Sequence, residues 1–165
     1  MKPRINLLSL NHYPIIEQLQ LEEALLKADN DSWCIINCGT PPAIVMGISG
    51  KKELLIDSQR HAQNPLPIIR RFSGGGTVVV DEHTLFITFI CNSSLLEVPS
   101  YPEPIFKWTE QFYQPIFANT PFKLKENDYV MGENKFGGNA QYLRKHRWLH
   151  HSSLLWDFHP ERMDL

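Results

Sequence analysis

The order of hydrophobic periods along the chain predicts an α+β fold, with mixed or antiparallel sheets and helices packed against them. An early segment of helical period is followed by several short β-branched runs. A second amphipathic segment follows, and the chain then returns to strand-like pieces separated by turn residues. No internal repeat of roughly 20 to 50 residues and no low-complexity tract competes with this reading.

Taken in order, Arg4 to Leu10 alternates enough to be a strand. The stretch PIIEQLQLEEALLKADN then puts Ile15, Ile16, Leu19, Ala24 and Leu25 or Leu26 near helical spacing. Pro14 suits the first helical turn, where a missing N–H costs nothing. Trp33 to Cys38 and Ala43 to Ile48 are apolar runs separated by Gly39, Thr40, Pro41 and Pro42, which reads as a hairpin with Gly47 and Gly50 at its exit. A polar stretch from Lys51 to Asn64 has room for a short helix.

Pro67 to Arg71 reads as a strand, SGGG interrupts it, and Thr77 to Val80 and Thr84 to Cys91 are two more. Pro104 to Asn119 carries Ile105, Phe106, Trp108, Phe112 and Tyr113 at helical spacing, with Pro115 placed to kink or end the helix. The pieces FKLK, DYVMG, NKFGG and RWLHHSSLLWDF complete the chain as strands.

Composition narrows the function classes. Of the 165 residues, 42% are apolar and 21% charged, so one soluble domain over residues 1–165 is expected. A net charge of -2 gives no general polyanion-binding signal, and no nucleic-acid partner is expected. No run approaches the roughly 18 apolar residues that span a bilayer, so no membrane partner is expected either. Cys34, Cys38 and Cys91 are odd in number and lack metal or disulfide spacing, which fits a reducing compartment. The opening MKPRINLLSLNHYP has too brief an apolar patch for a signal peptide. A cytoplasmic location is expected, with an organellar one left open.

Chemistry concentrates in three places. RRFSGGGTVVVD, Arg70 to Asp81, reads as a hinge, as a bulge or hairpin turn, or as a backbone cradle for an anion. It is neither a Walker loop, since no Lys-Ser/Thr pair follows, nor a dinucleotide fingerprint, since a strand rather than a helix comes next. At the end of a strand Arg70 and Arg71 alternate in direction, so one can face a ligand while the other does not. GENKFGGNAQ holds Lys135 between turn signals, an exposed edge residue on the bland reading and a catalytic one on the sharp reading. In WLHHSSLL, His150 and His151 point to opposite faces of a strand, against a shared metal ion. A Ser73, His151 and Asp81 triad can be assembled on paper, but Ser73 lacks the GxSxG context.

Together, RRFSGGGTVVVD, then END with YVMGENKFGGNAQ, then HHSSLL resemble the lipoate protein ligase A and lipoyltransferase family, within the wider biotin/lipoate ligase group. LEEALL and AIVMGI resemble its early acidic helix and the strand after it. The resemblance implies the biotin/lipoate protein ligase catalytic-domain fold, with further core segments after the HHSSLL strand that this chain lacks. It implies a chemistry in which lipoic acid and ATP give lipoyl-AMP, whose lipoyl group passes to a lysine of an acceptor domain. By position, Lys135 matches the essential lysine of the family. Arg70, Ser73, Gly74, Gly75, Gly76, Thr77 and Val78 match its nucleotide and substrate loop. Gly138, Asn139 and Ala140 match the acyl side, His151 counts among the substrate- or nucleotide-binding residues, and Asp128 matches the position associated with Mg2+. Two departures stand out: the H-D-x-G-N of the family is Val80 to Thr84 here, and HHGTLL is HHSSLL. The alternatives are an octanoyl or lipoyl transferase fed by an acyl carrier, which needs a thiol near Lys135, and a non-catalytic binding or scaffold member.

Overall fold

The computed structural model describes residues 4–164; the opening Met1 to Pro3 of the amino-terminal segment read above, and Leu165, lie outside the described residues. The first half runs β1 (Asn6–Asn11), α1 (Ile15–Ala28), β2 (Trp33–Cys38), β3 (Ala43–Met46), α2 (Lys52–Leu55), α3 (Ser58–Gln63), β4 (Ile68–Arg70) and β5 (Val78–Val80). The second runs β6 (Thr84–Asn92), α4 (Ser93–Leu96), α5 (Pro102–Tyr113), β7 (Phe122–Lys125), β8 (Asp128–Met131), β9 (Asn134–Leu143), β10 (Arg147–Leu155) and α6 (Pro160–Met163). The expected α+β class is what is found. No helix among the described residues is long and apolar enough to cross a membrane.

Two sheets form. The larger has seven strands in the order β1-β2-β6-β10-β9-β8-β7, and the smaller has three in the order β4-β3-β5. Within the larger sheet β1 and β2 run parallel and the other neighbours antiparallel. Trp33–Cys38 and Ala43–Met46 are therefore strands but not a hairpin, because they belong to different sheets. The link between them explains the change of sheet. Gly39 adopts φ +76° with the Glu82 carbonyl 3.0 Å from where a Cβ would stand, and Thr40 is buried, its hydroxyl accepting from the Ile15 N–H at 2.9 Å. That bond anchors the start of α1, and Pro14 serves as its N-cap residue rather than lying inside the first turn.

Strict alternation along β6 builds the core. Phe86, Thr88 and Ile90 face α1 and the small sheet, while Phe89 and Cys91 face α5. On the first side, Ile15 and Leu19 of α1 pack with Ala43, Val45 and Val80, joining the two sheets. On the second, Ile105 and Tyr113 pack with Phe122, Tyr129 and Trp148. The helix α5 stops at Tyr113, short of the expected Asn119, and Pro115 follows two residues later.

The same alternation separates the paired histidines of β10. His150 is fully buried on the α5 side, its ring edge-on to Phe106, with Gln141 Nε2 3.1 Å from its Nδ1. Burial, with His151 adjoining, pushes its pKa down to about 3. The unfolded chain, near 6.5, then takes up that proton first as the pH falls. The stability His150 lends is complete above about 6.5 and is lost toward about 3, with a limiting slope of ~1.4 kcal/mol per pH unit. Denaturant titrations at pH 7, 6 and 5 should show a flatter acid limb for His150→Gln than for the parent. Equal slopes would show that the histidine does not set it.

Candidate active site

The glycine run is neither a hinge nor a hairpin turn, since the strands it joins, β4 and β5, are not paired with each other. Both flank β3, one parallel and one antiparallel, so residues 71–77 must cross the end of β3. Gly47 stands at that end. A Cβ there would lie 2.2 Å from the Gly75 carbonyl oxygen, and Ile48 N–H donates to the Ser73 carbonyl at 3.0 Å. Gly75 itself takes φ +98°, which an L side chain rarely adopts. Gly47→Ala should displace the loop and cut ligand affinity tenfold or more, with the circular dichroism of the sheets retained. Unchanged affinity would show that the crossing is loose.

Arg71 locks this loop from inside. Its Nη2 donates to the carbonyls of Gly74 at 2.8 Å and Gly76 at 2.7 Å, and its Nε to Gly74 at 3.1 Å. The residue is 5% exposed, and no carboxylate among the described residues pairs with it. A buried cation satisfied only by neutral carbonyls keeps its net charge, and an arriving anion gains directly from it. Burial lowers its pKa, yet a guanidinium stays protonated at any ordinary pH.

Lys135 approaches from the larger sheet. Tyr129 pairs with Gly137 and Val130 with Lys135, so Phe136 is an extra residue in a β-bulge. The bulge sends Phe136 against Phe117 and Phe122, while Lys135 reaches Asp128, Nζ to Oδ2 2.7 Å. Gly138 lies beneath it, where a Cβ would make an ordinary van der Waals contact with Lys135 Cε at 3.9 Å.

A third group of residues forms a buried chain. Glu22, wholly buried on α1, accepts from Gln18 Nε2 at 2.8 Å and from the Thr88 hydroxyl at 2.6 Å. Its other oxygen is 3.0 Å from His151 Nδ1, and His151 Nε2 is 3.1 Å from Ser73 Oγ. These partners assign the imidazole proton to Nδ1 and let the Ser73 hydroxyl donate to Nε2. Asp81 has no part in this chain. Its carboxylate receives Arg162 Nη1 at 2.8 Å, so the paper triad is corrected: the acid behind His151 is Glu22.

These groups meet at one cavity. Ile15, Leu19, Val45, Val80 and Phe86 make its apolar part, and Arg71, Lys135, Asp128, Asn139 and His151 its polar part. A second cavity, bounded by Ile44, Leu55, Phe136 and Met163, shares Thr77, Val78, Lys135, Gly138 and Ser153 with the first. Lys135 thus stands at the partition. Thr77 Oγ1 in the same wall is buried without a hydrogen-bond partner, which fits a polar ligand atom beside it.

Of the residues singled out from sequence, Lys135, Asp128, Gly76, Thr77, Val78, Gly138, Asn139, Ala140 and His151 all line the first cavity. Ser73 is buried behind His151, and Gly74 and Gly75 form the crossing without lining either cavity. Of the two arginines it is Arg71, not Arg70, that lines the cavity. The Arg70 side chain is exposed and donates to the Ile48 carbonyl at 3.0 Å and to that of Gly50, because strand alternation turns it away from its neighbour. Glu22 and Gln18 were missed, although an acid at the Ile15, Leu19, Glu22, Leu26 spacing is a legible anomaly on a buried stripe. Asp128 offers a single carboxylate for Mg2+, which takes most of its shell from phosphate and water.

Comparison with known proteins places this geometry. The inactive lipoate–protein ligase 2 of Plasmodium falciparum is 24% identical over 215 residues, covering 93% of this chain and 56% of that one. The lipoate-protein ligase LplJ of Bacillus subtilis is 27% identical over 144 residues, covering 84% and 42%. The chain spans about half the length of the curated relatives it matches. Among solved structures, the bi-partite lipoate protein ligase of Thermoplasma acidophilum, studied with its E2 lipoyl domain, superposes with a TM-score of 0.76 at 22% identity, covering 93% and 62%. P. falciparum LipL1 in complex with lipoate gives 0.75 at 20%, covering 94% and 49%. A lipoate-protein ligase A bound with ATP gives 0.68 at 20%, covering 94% and 67%. The model of the lipoyl protein ligase A/B catalytic domain matches residues 14–165, and this chain belongs to that family.

Proposed function

We propose that this chain carries the catalytic machinery of a lipoate–protein ligase or lipoyltransferase, acting on lipoate with ATP, or on preformed lipoyl-AMP, and on a lysine of an acceptor domain. The observation that carries the reading is Arg71, a buried guanidinium without a carboxylate partner at the polar end of an apolar-walled cavity. Such a site suits an acid with an aliphatic tail. Lipoate bound to one structural neighbour and ATP bound to another support it.

In the first step a lipoate carboxylate oxygen bonds to the α-phosphorus of ATP and pyrophosphate leaves. In the second the uncharged ε-amine of the acceptor lysine attacks the acyl carbon. The bond to AMP breaks with its electron pair, and the amine gives up a proton. Both steps gather negative charge on oxygen. Lys135, at the partition of the two cavities, and the Arg71-braced loop supply fixed positive charge and aligned amides there. Asp128, which pairs with Lys135, would hold Mg2+, and the ion would supply further positive charge for the phosphates. The apolar walls from Ile15 to Phe86 receive the dithiolane tail.

A thiol relay is disfavoured. None of the three cysteines lines the first cavity, and burial pushes Cys34 up to about 11 and Cys91 up to about 12. The inactive relative favours one second reading, a member that binds without transferring. Mass spectrometry of an apo lipoyl domain, incubated with lipoate and ATP or with lipoyl-AMP, separates the readings. A gain of one lipoyl group supports transfer. Calorimetric binding of lipoyl-AMP without any gain supports the binding role, and the absence of both gain and binding would overturn both readings.

A further inference from the structure

The loop between β5 and β6 meets the last described residues at a place that lines neither cavity. Glu82 and His83 come from the loop, and His159 from the segment after β10. Each offers one ligand atom, and the three atoms lie within 4.8 Å of one another. Glu82 Oε1 is 3.3 Å from His159 Nε2, and the two imidazole rings are 5.4 Å apart.

We propose that Glu82, His83 and His159 form a binding site for a divalent transition metal of the Zn2+ class. Two imidazoles and one carboxylate are a donor set such ions select, with the fourth position left to water. The frame around the donors is already built. Asp81 Oδ1 accepts from the His83 N–H at 2.9 Å, and Trp156 N–H donates to the His83 carbonyl at 3.0 Å. Arg162, which would oppose a cation, is turned to Asp81 at 2.8 Å and to the other oxygen of Glu82 at 3.2 Å. Oε1 is thereby left toward the histidines. Glu161 Oε1 lies 3.5 Å from His159 Nδ1, where it can orient the ring from behind. Binding would require these side chains to turn so that donors now within 4.8 Å of one another reach the roughly 2.0 to 2.2 Å bonds such an ion takes. A bound ion would tie the loop following the glycine crossing to the end of the described chain.

Isothermal titration of the chelator-treated full chain with ZnCl2, and visible spectra with Co2+, test the site. One equivalent is expected. His83→Ala and His159→Ala should each weaken binding tenfold or more, and the double variant should lose the Co2+ bands. His61→Ala, whose ring is held by the Leu66 carbonyl, should bind as the parent does. Equal affinity in the parent and the double variant, or equal loss in His61→Ala, would overturn the assignment.

Discussion

Lys135→Ala is expected to lower lipoyl transfer to an apo acceptor domain by a factor of about 10² to 10³ while leaving the fold intact. That is the typical effect of deleting one preorganised group at a developing oxyanion. The side chain is 56% exposed and its partner Asp128 is reachable by water, so losing the pair costs at most about 1 kcal/mol of stability. Activity and stability are thus decoupled at this residue, which makes the test clean. Lys135→Arg should also fail to restore transfer, because a planar fork cannot take the place of a compact ammonium at the wall between two cavities. Chemical denaturation alongside the mass assay distinguishes the outcomes. A Lys135→Ala variant that is stable and fully active would remove this lysine from the chemistry.

Glu22→Ala is expected to destabilise the protein by about 3 to 5 kcal/mol, since each buried donor left without an acceptor costs about 1 to 3 kcal/mol. Three donors would lose their acceptor at once: Gln18 Nε2, the Thr88 hydroxyl and His151 Nδ1. Against a typical domain stability of about 5 to 15 kcal/mol this is a large fraction. Glu22→Gln keeps the volume and one acceptor oxygen, so most of the stability should survive. The tautomer of His151 should then be released, since an amide cannot satisfy the same three donors as a carboxylate. Urea titration measures the first effect, and the nitrogen chemical shifts of His151 the second. A loss below 1 kcal/mol for Glu22→Ala would show that water enters and replaces the carboxylate.

Much of the fold was legible because its elements carry strong local periods. The apolar stripe of α1, the alternating runs of β6 and β10, and the turn residues that bound β7 and β8 each specify their own conformation. The partner of each strand was not legible. Trp33–Cys38 and Ala43–Met46 looked like a hairpin because hairpins are the usual result of two adjacent runs, yet a two-proline link cannot donate the bonds a tight turn uses. The choice between Arg70 and Arg71 was likewise beyond local pattern, because alternation requires that they differ and leaves open which one faces inward.

Residue order alone determined the chemistry available to this protein: a side-chain-free glycine run beside two arginines, one lysine between glycines, and a histidine pair split by the pleat. It also determined the family, through motifs that are local and keep their order. Only the tertiary structure decided that the glycine run crosses the end of β3, that Arg71 is the buried cation, and that Glu22 stands behind His151. The reason is physical. Period and turn chemistry act over a few residues, whereas burial, strand pairing and charge neutralisation depend on groups as far apart in sequence as Glu22 and His151.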